Sequence, residues 1–253
     1  MKQINDSHAN THAQTRTQAK PLYVLIACEE SQAECLAFRN LGHIAYSCDI
    51  QKCKRGGHPE WHIWQDVTPL LHGETTFQTQ DGCTVQVPRW DLMICHPPCT
   101  YLCKVSSVHM ISYDEESPGS TWFWSSEREA WVNSLRLRLM KKARAFFFEC
   151  LNAKAPYVAV ENPLPMAMAN LPQPSCFACP SWFGERYTKK TLYWLKNLPP
   201  LMQTIEHPHP KGFVRSSRGK YRSRTFPKLA EALAKQWSEY ILDDICIGKN
   251  QIY

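Results

Sequence analysis

The chain has 253 residues, 43% hydrophobic and 21% charged, with a formal net charge of +6. That bounds it to a globular protein with one good core and elaborations. It has no apolar run near the roughly 18–20 residues of a membrane span. Residues 1–20 are rich in Asn, Gln, Thr and His, lack an apolar segment, and read as a disordered tail, not a secretory signal. The twelve cysteines lie in apolar runs (Cys28, Cys48, Cys95) and do not frame small loops. Free thiols in a reducing cytoplasm are therefore expected.

Residues 23–27, Tyr-Val-Leu-Ile-Ala, are a continuous apolar run ending in Cys28-Glu29-Glu30 and predict a buried parallel strand. Ser31 is placed to open a helix, with Glu34 as its capping-box partner. Ala33, Leu36, Ala37, Asn40 and Leu41 would form one face, and Gly42 would end the helix at C′. Residues 44–48, closed by Asp49, predict a second strand and complete a βαβ unit. Ligands of such units sit at the carboxyl ends of the strands, and an acid closing the second strand takes a ribose diol. Asp49 holds that place. The turn Ala27-Cys28-Glu29-Glu30-Ser31 has no glycine, so it lacks the close backbone approach a pyrophosphate needs. It suits a ligand without phosphate, such as S-adenosylmethionine, whose ammonium group Glu29 could face.

A polar connection over 51–65 leads to Asp66, which could accept from an adenine amino group or simply cap a helix at Thr68-Pro69. Residues 73–88 predict a hairpin turning at Asp81-Gly82. Leu92-Met93-Ile94-Cys95 predicts a buried strand, stopped by Pro97 and Pro98 just before Cys99. Residues 103–125, with a turn at Pro118-Gly119, are expected to be a loop placed as a lid. A helix is expected over 127–151, with Trp131, Leu135, Leu139, Ala143, Phe146, Phe147 and Cys150 on its apolar face. A strand at 157–160 runs into Glu161-Asn162-Pro163. Residues 164–188 read as irregular, 190–195 as a strand and 199–220 as a loop. A last helix from Pro227 would bury Leu229, Ala230, Leu233, Ala234, Trp237, Tyr240 and Ile241. The expected fold is α/β and Rossmann-like, a mostly parallel central sheet with helices on both faces. One domain would span 21–242, between the 1–20 tail and a tail at 243–253.

Asp49, Cys99 and Glu161 thus fall at strand ends on one rim. A thiol beside a carboxyl group suits covalent chemistry on an electrophilic ring. Cys99 could add to C6 of a pyrimidine while Glu161 engages N3, turning C5 into a carbon nucleophile. The attacking species is the thiolate, so a nearby cation should help. Residues 186–224 carry ten Lys and Arg against Glu206 as the one acid. Such a basic surface suits phosphates, though a solvated loop reads the same way. Cys176 and Cys179 have the spacing of half a zinc site, with His207 and His209 as candidates for the rest. The separation is long, and no metal is assigned.

The sequence resembles the DNA cytosine-5 methyltransferases over about residues 22–240. Pro97-Pro98-Cys99 after an apolar strand is similar to the family's catalytic motif. Glu161-Asn162 after Val158-Ala159-Val160 resembles its Glu-Asn-Val motif, with Pro163 in place of valine. Phe183-Gly184 followed by Lys189-Lys190-Thr191 loosely resembles its Pro-Gln-x-Arg-x-Arg segment. The match is closest to short phage-encoded relatives, through Cys-Glu-Glu-Ser, His-Pro-Pro-Cys-Thr-Tyr-Leu, Val-Glu-Asn-Pro, Lys-Lys-Thr-Leu-Tyr-Trp-Leu-Lys and Arg-Ser-Arg-Thr-Phe-Pro.

The resemblance implies an S-adenosylmethionine-dependent methyltransferase fold that methylates C5 of cytosine in DNA, in the cytoplasm of a host if phage-encoded. Cys99 would attack C6, and Glu161 would engage N3 and the exocyclic amine, with Pro98 and Asn162 completing their motifs. Cys28, Glu29, Ser31, Asp49, Asp66, His96 and Pro97 would line the cofactor site. Lys189, Lys190, Arg222 and Arg224 would meet the DNA. The target base must flip out of a duplex or be single-stranded already. The family's Phe-x-Gly-x-Gly is absent here. Only 196–221 is available in place of a full recognition domain, so short or relaxed sequence specificity is expected. Two other readings stay open: a non-catalytic DNA-binding or decoy protein on the same fold, and C5 modification of a free pyrimidine nucleotide.

Overall fold

The computed structural model describes residues 20–208 and 224–248. The first apolar run forms β1 (Tyr23–Ala27), followed by α1 (Ala33–Asn40) and β2 (Ile44–Asp49). Next come β3 (His62–Trp64), α2 (Thr68–Leu71) and the predicted hairpin, β4 (Thr76–Gln78) with β5 (Thr84–Gln86). The strand before Cys99 is β6 (Leu92–Cys95). The segment after it holds β7 (Ile111–Ser112), β8 (Trp122–Ser125) and β9 (Ala130–Asn133), then α3 (Ser134–Leu151). The chain ends with β10 (Tyr157–Asn162), β11 (Cys176–Ala178), β12 (Thr191–Lys196) and α4 (Pro227–Cys246).

A seven-stranded sheet runs β11-β12-β10-β6-β1-β2-β3. The neighbours from β3 through β2, β1 and β6 to β10 are all parallel, whereas β12 is antiparallel to both β10 and β11. The central strands read as unbroken apolar runs because both faces are covered. Val24 and Ile26, Leu92 and Ile94, and Tyr157 and Ala159 point to one face, where they meet Cys35 and Phe38 of α1 and Leu229, Leu233 and Trp237 of α4. Leu25, Met93, Val158 and Val160 point to the other, against Leu70 and Leu71 of α2 and Met140, Phe147 and Cys150 of α3. Trp237 is fully buried, crosses the Tyr193 ring edge-on at 6.0 Å, and donates its indole N–H to the Pro199 carbonyl at 3.1 Å.

Four expected elements are corrected. First, α1 does not open at Ser31. Gln32 is left-handed at φ 59° and precedes the helix, which buries Glu34, Cys35, Ala37 and Phe38 instead of the predicted face. Second, residues 103–125 are not an open loop. Lys104–His109 forms a 3-10 turn, and β7, β9 and β8 pair into a small antiparallel sheet. Third, α3 begins at Ser134, where the Asn133 side chain accepts from the Arg136 N–H at 3.0 Å. Ahead of it Ala130 and Val132 are buried in alternation, a period of two that makes β9 a strand. The helix face turns accordingly: Met140, Phe147 and Cys150 are buried and Leu135 is exposed. Fourth, the tail expected from 243 is helical to Cys246, because Asp244 is buried and takes the Tyr157 hydroxyl. Tyr240, expected inside, is 39% exposed. No helix among the described residues is long and apolar enough to cross a membrane.

Candidate active site

The strand order reverses between β1 and β6, and in open α/β sheets ligands bind in the crevice at that reversal. The turns after β1, β6 and β10 carry most of the candidate residues. Strand alternation decides where they point. Cys95 and Val160 face α3, so the next residues, His96 and Glu161, turn to the face covered by α1 and α4. There they meet Glu34. His96 Nε2 lies 3.0 Å from Glu34 Oε2, and His96 Nδ1 lies 3.4 Å from Glu161 Oε2. The Thr225 hydroxyl donates to Glu34 Oε1 at 2.9 Å. An imidazole thus bridges two carboxylates, one supplied by the first helix and one by the end of β10.

The electrostatics follow. The two carboxylates outweigh the desolvation of His96 and hold its pKa well above the usual imidazole value. His96 and Lys189 in turn keep the Glu161 carboxyl below the usual carboxylate range, against the desolvation that would raise it. The result is a buried imidazolium between carboxylates, stable only because its partners are held in place.

Cys99 is half-buried; Pro97 before it is buried and Pro98 is exposed. The Cys99 carbonyl accepts from the N–H groups of Leu102 and Cys103, both at 2.9 Å. The loop is then stitched to the one after β10. The Met166 N–H donates to the Leu102 carbonyl, the Lys104 N–H donates to the Leu164 carbonyl (both 2.7 Å), and Cys103 bridges Pro165. These bonds fix the Cys99 loop against the loop at 163–166 that follows Glu161 and Asn162 of β10. Burial, Cys103 and Glu161 push the Cys99 thiol up to about 11, and Lys189 pulls it down. Asn162 is fully buried. Its amide N–H donates to the Pro163 carbonyl at 2.7 Å, while its Oδ1 has no partner among the described residues.

Lys189 acts on both Cys99 and Glu161 and lines a small cleft with Glu161, Tyr193, Arg224 and Thr225. Lys190 points elsewhere: it is exposed and lies 4.2 Å over the Phe177 ring. Arg224 lines the same cleft, and Arg222 lies outside the described residues. Lys196, counted in the basic stretch, reaches instead to the carbonyls of Ala153 and Ala155. Replacing Lys189 by Met should raise the Cys99 pKa and slow alkylation of Cys99 by iodoacetamide near pH 8 by about tenfold, since one pKa unit is tenfold in thiolate. Peptide mass spectrometry separates Cys99 from the other thiols. An unchanged alkylation rate would remove Lys189 from the site.

The cofactor candidates divide. Cys28 takes a left-handed φ of 62° at the end of β1, a strained choice for a residue with a side chain. Its partly buried thiol is pushed up mainly by desolvation, with Cys150, Asp49, Cys48 and Asp66 adding to it, so these groups share one neighbourhood. Asp49 is half-buried at the end of β2, with one oxygen on the Gln51 N–H at 2.8 Å, and burial raises its carboxyl. Asp66 is exposed and caps α2 by accepting from the Thr68 N–H at 2.7 Å.

Glu29 is turned inward and does not face a ligand. It accepts from the N–H groups of Glu34 (2.8 Å) and Cys35 (3.3 Å), and Ser31 Oγ donates to it at 3.4 Å. Glu29 thus does the capping that Ser31 was expected to do. Desolvation and the neighbouring Glu34 push its carboxyl to about 8. A folded pKa above the unfolded value makes stability fall as pH rises from about 4.5 to about 8. Glu29→Gln, which mimics the neutral acid, should flatten the urea-unfolding midpoint over that window. A midpoint that varies with pH as in the wild type would overturn this.

The residues that sequence reasoning missed as site members are Glu34, Tyr193 and Thr225. Glu34 looked like half of a capping box, and nothing local marks a helical glutamate as fully buried. Thr225 sits in the Arg-Ser-Arg-Thr-Phe-Pro stretch, where the arginines drew attention. Tyr193 pairs with Glu161 across the β10–β12 ladder, a partnership only the register reveals. All twelve cysteines are free. Among the described residues no group of three or more His, Cys, Asp or Glu side chains could hold a metal ion, and His209 lies outside them. No family model matches the chain, and no curated protein matches it.

Proposed function

We propose that the chain methylates C5 of cytosine in DNA, using S-adenosylmethionine and a covalent adduct through Cys99. One observation carries the reading. A thiol and a carboxylate, Cys99 just beyond β6 and Glu161 in the last residues of β10, stand at the same end of two adjacent parallel strands whose following loops are stitched together, with Lys189 acting on both. The Cys99 thiolate would add to C6 while Glu161 holds N3 and the exocyclic amine. The ring electrons displaced by the addition make C5 nucleophilic. After methyl transfer, loss of the C5 proton re-forms the C5–C6 double bond and releases the thiolate.

S-adenosylmethionine supplies an electrophilic methyl group when bound. The crevice by β1 and β2 fits it in part. The half-buried Asp49 carboxylate, which accepts from the Gln51 N–H, could take the further donors of a ribose diol, and Asp66 and Cys28 share its neighbourhood. Glu29 has no role toward the ammonium group, since both its oxygens are engaged. DNA is the partner that the basic residues and the resemblance favour. A cytoplasmic setting follows from the same reading and agrees with free thiols.

Mass spectrometry of nucleosides from DNA of cells expressing the chain tests this. 5-Methylcytosine above background, absent with Cys99→Ala, is expected; no modified pyrimidine would overturn the reading. The engagement of Glu29 favours one second reading, a DNA-binding protein without catalysis. Calorimetry separates the two: salt-dependent DNA binding without any S-adenosylmethionine binding supports the second.

A further inference from the structure

We propose that His96, held by Glu34, is the proton source that recharges Glu161 during addition of Cys99 to cytosine. This rests on the cytosine reading and goes beyond it by assigning the path of the N3 proton.

The geometry gives the path a direction. Glu34 is fully buried and closed off, with one oxygen on Thr225 and the other on His96. Glu161 stands on the other side of the ring. Its side chain is 16% exposed and lines the cleft. A proton on His96 Nδ1 therefore has an open way out through Glu161, and Nε2 faces a closed end. The ring is held from its own backbone too, since the His96 N–H donates to the Ala27 carbonyl at 2.9 Å and Pro97 follows. The neighbouring elements contribute titratable or charged groups: Glu34 from α1, Glu29 from the turn after β1, Glu161 from β10, Tyr193 from β12, Lys189 ahead of β12, Cys150 from α3, and Arg224 ahead of α4 in the cleft beside Glu161. Of these, only Glu34 and Glu161 are hydrogen-bonded to the imidazole.

The step balances. The thiolate pair forms the C6–S bond. The C5–C6 π pair moves to C4–C5, and the C4–N3 π pair moves onto N3. N3 takes a proton from Glu161, Glu161 takes one from His96 Nδ1, and the imidazole is left neutral. Once C5 carries its new substituent, solvent water takes the C5 proton, the C5–H pair re-forms the C5–C6 double bond, and the C6–S pair returns to Cys99. The N3 proton then travels back through Glu161 to His96. His96 touches no substrate atom in this scheme and is a positioning and proton-holding residue.

Release of tritium from DNA carrying cytosine labelled at C5 reads the addition without any methyl donor, because a solvent proton can replace the methyl group at C5. For the full chain a bell-shaped pH profile is expected, with a rising limb from the Cys99 thiol and a falling limb from the imidazolium. In His96→Asn the amide still donates to Glu161 but has no transferable proton. The rate should fall by about 10²-fold, the usual size of such a contribution, and the falling limb should vanish. In Glu34→Gln the hydrogen bond remains and the charge goes, so the falling limb should move to lower pH. A role confined to packing would lower the amplitude and leave the shape. A falling limb retained in His96→Asn, or unmoved in Glu34→Gln, overturns the proposal. No release by the wild-type chain overturns the cytosine reading itself.

Discussion

Replacing Cys99 by serine should lower single-turnover methyl transfer to cytosine-containing DNA by at least about 10⁴-fold, the scale on which enzymes lose rate when a nucleophile is removed. The melting temperature should stay within a degree or two of wild type, because Cys99 is only half-buried. The chemistry gives the reason. A thiol at about 11 yields a small but usable fraction of thiolate near neutral pH, and Lys189 increases it. A serine hydroxyl at the same place ionises far less and cannot be rescued by one ammonium group. The same reasoning fixes the sign of the pH dependence. Above neutral pH the wild-type addition rate should climb with the thiolate fraction until loss of the His96 proton turns the profile over. A Cys99→Ser rate within tenfold of wild type would show that C5 is activated without a covalent bond.

Much of the frame was legible in the sequence because it is written in local patterns. The runs at 23–27, 44–48, 92–95 and 157–160 are short, mostly apolar and bounded by polar or turn residues, which suits strands buried on both faces, and they form β1, β2, β6 and β10. Gly42 ends α1 with a φ of 86°, as a C′ glycine should. The misreadings share a cause. Ser31 and Glu34 match a capping box, but the buried Glu29 carboxyl, five residues before Glu34, accepts from the Glu34 and Cys35 N–H groups in its place. The stretch 127–133 fits a helix when read as an extension of α3, yet pairing of β9 with β7 and β8 gives its backbone other partners. In both places tertiary contacts override a local preference of a few tenths of a kcal/mol to about 1 kcal/mol.

The site was legible in its chemistry and illegible in its wiring. Cys99 and Glu161 announce themselves by following apolar strands into proline-rich turns. Lys189 and Lys190 are adjacent and chemically alike, yet one acts on Cys99 and the other lies over Phe177. The resemblance puts His96 at the cofactor; strand parity turns it toward α1, where it meets Glu34. Glu34, which decides the state of His96, lies 62 positions away in the chain, a coupling that no spacing rule encodes.

Glu34→Leu should destabilise the fold by about 3–5 kcal/mol near pH 6, the usual cost of removing one member of a buried ion pair. Leucine fills much of the volume, so a cavity explains little of that loss. The electrostatics explain most of it: His96, only 13% exposed, keeps its proton with Glu161 as the one remaining hydrogen-bonded partner. The Thr225 hydroxyl also loses its acceptor. The pH dependence separates this cause from packing. The folded pKa of His96 lies above its ordinary 6.5, so its contribution is complete below pH 6.5 and is lost as pH rises through the folded value. The folded pKa of Glu161 lies below its ordinary 4.5, so its contribution is complete above pH 4.5 and is lost as pH falls through the folded value. Both are present together between pH 4.5 and 6.5, where the difference between wild type and variant should be largest. Urea unfolding of both proteins at pH 6 and at pH 10 measures it. A difference equal at the two pH values would assign the loss to packing and remove the charged bridge from the account of stability.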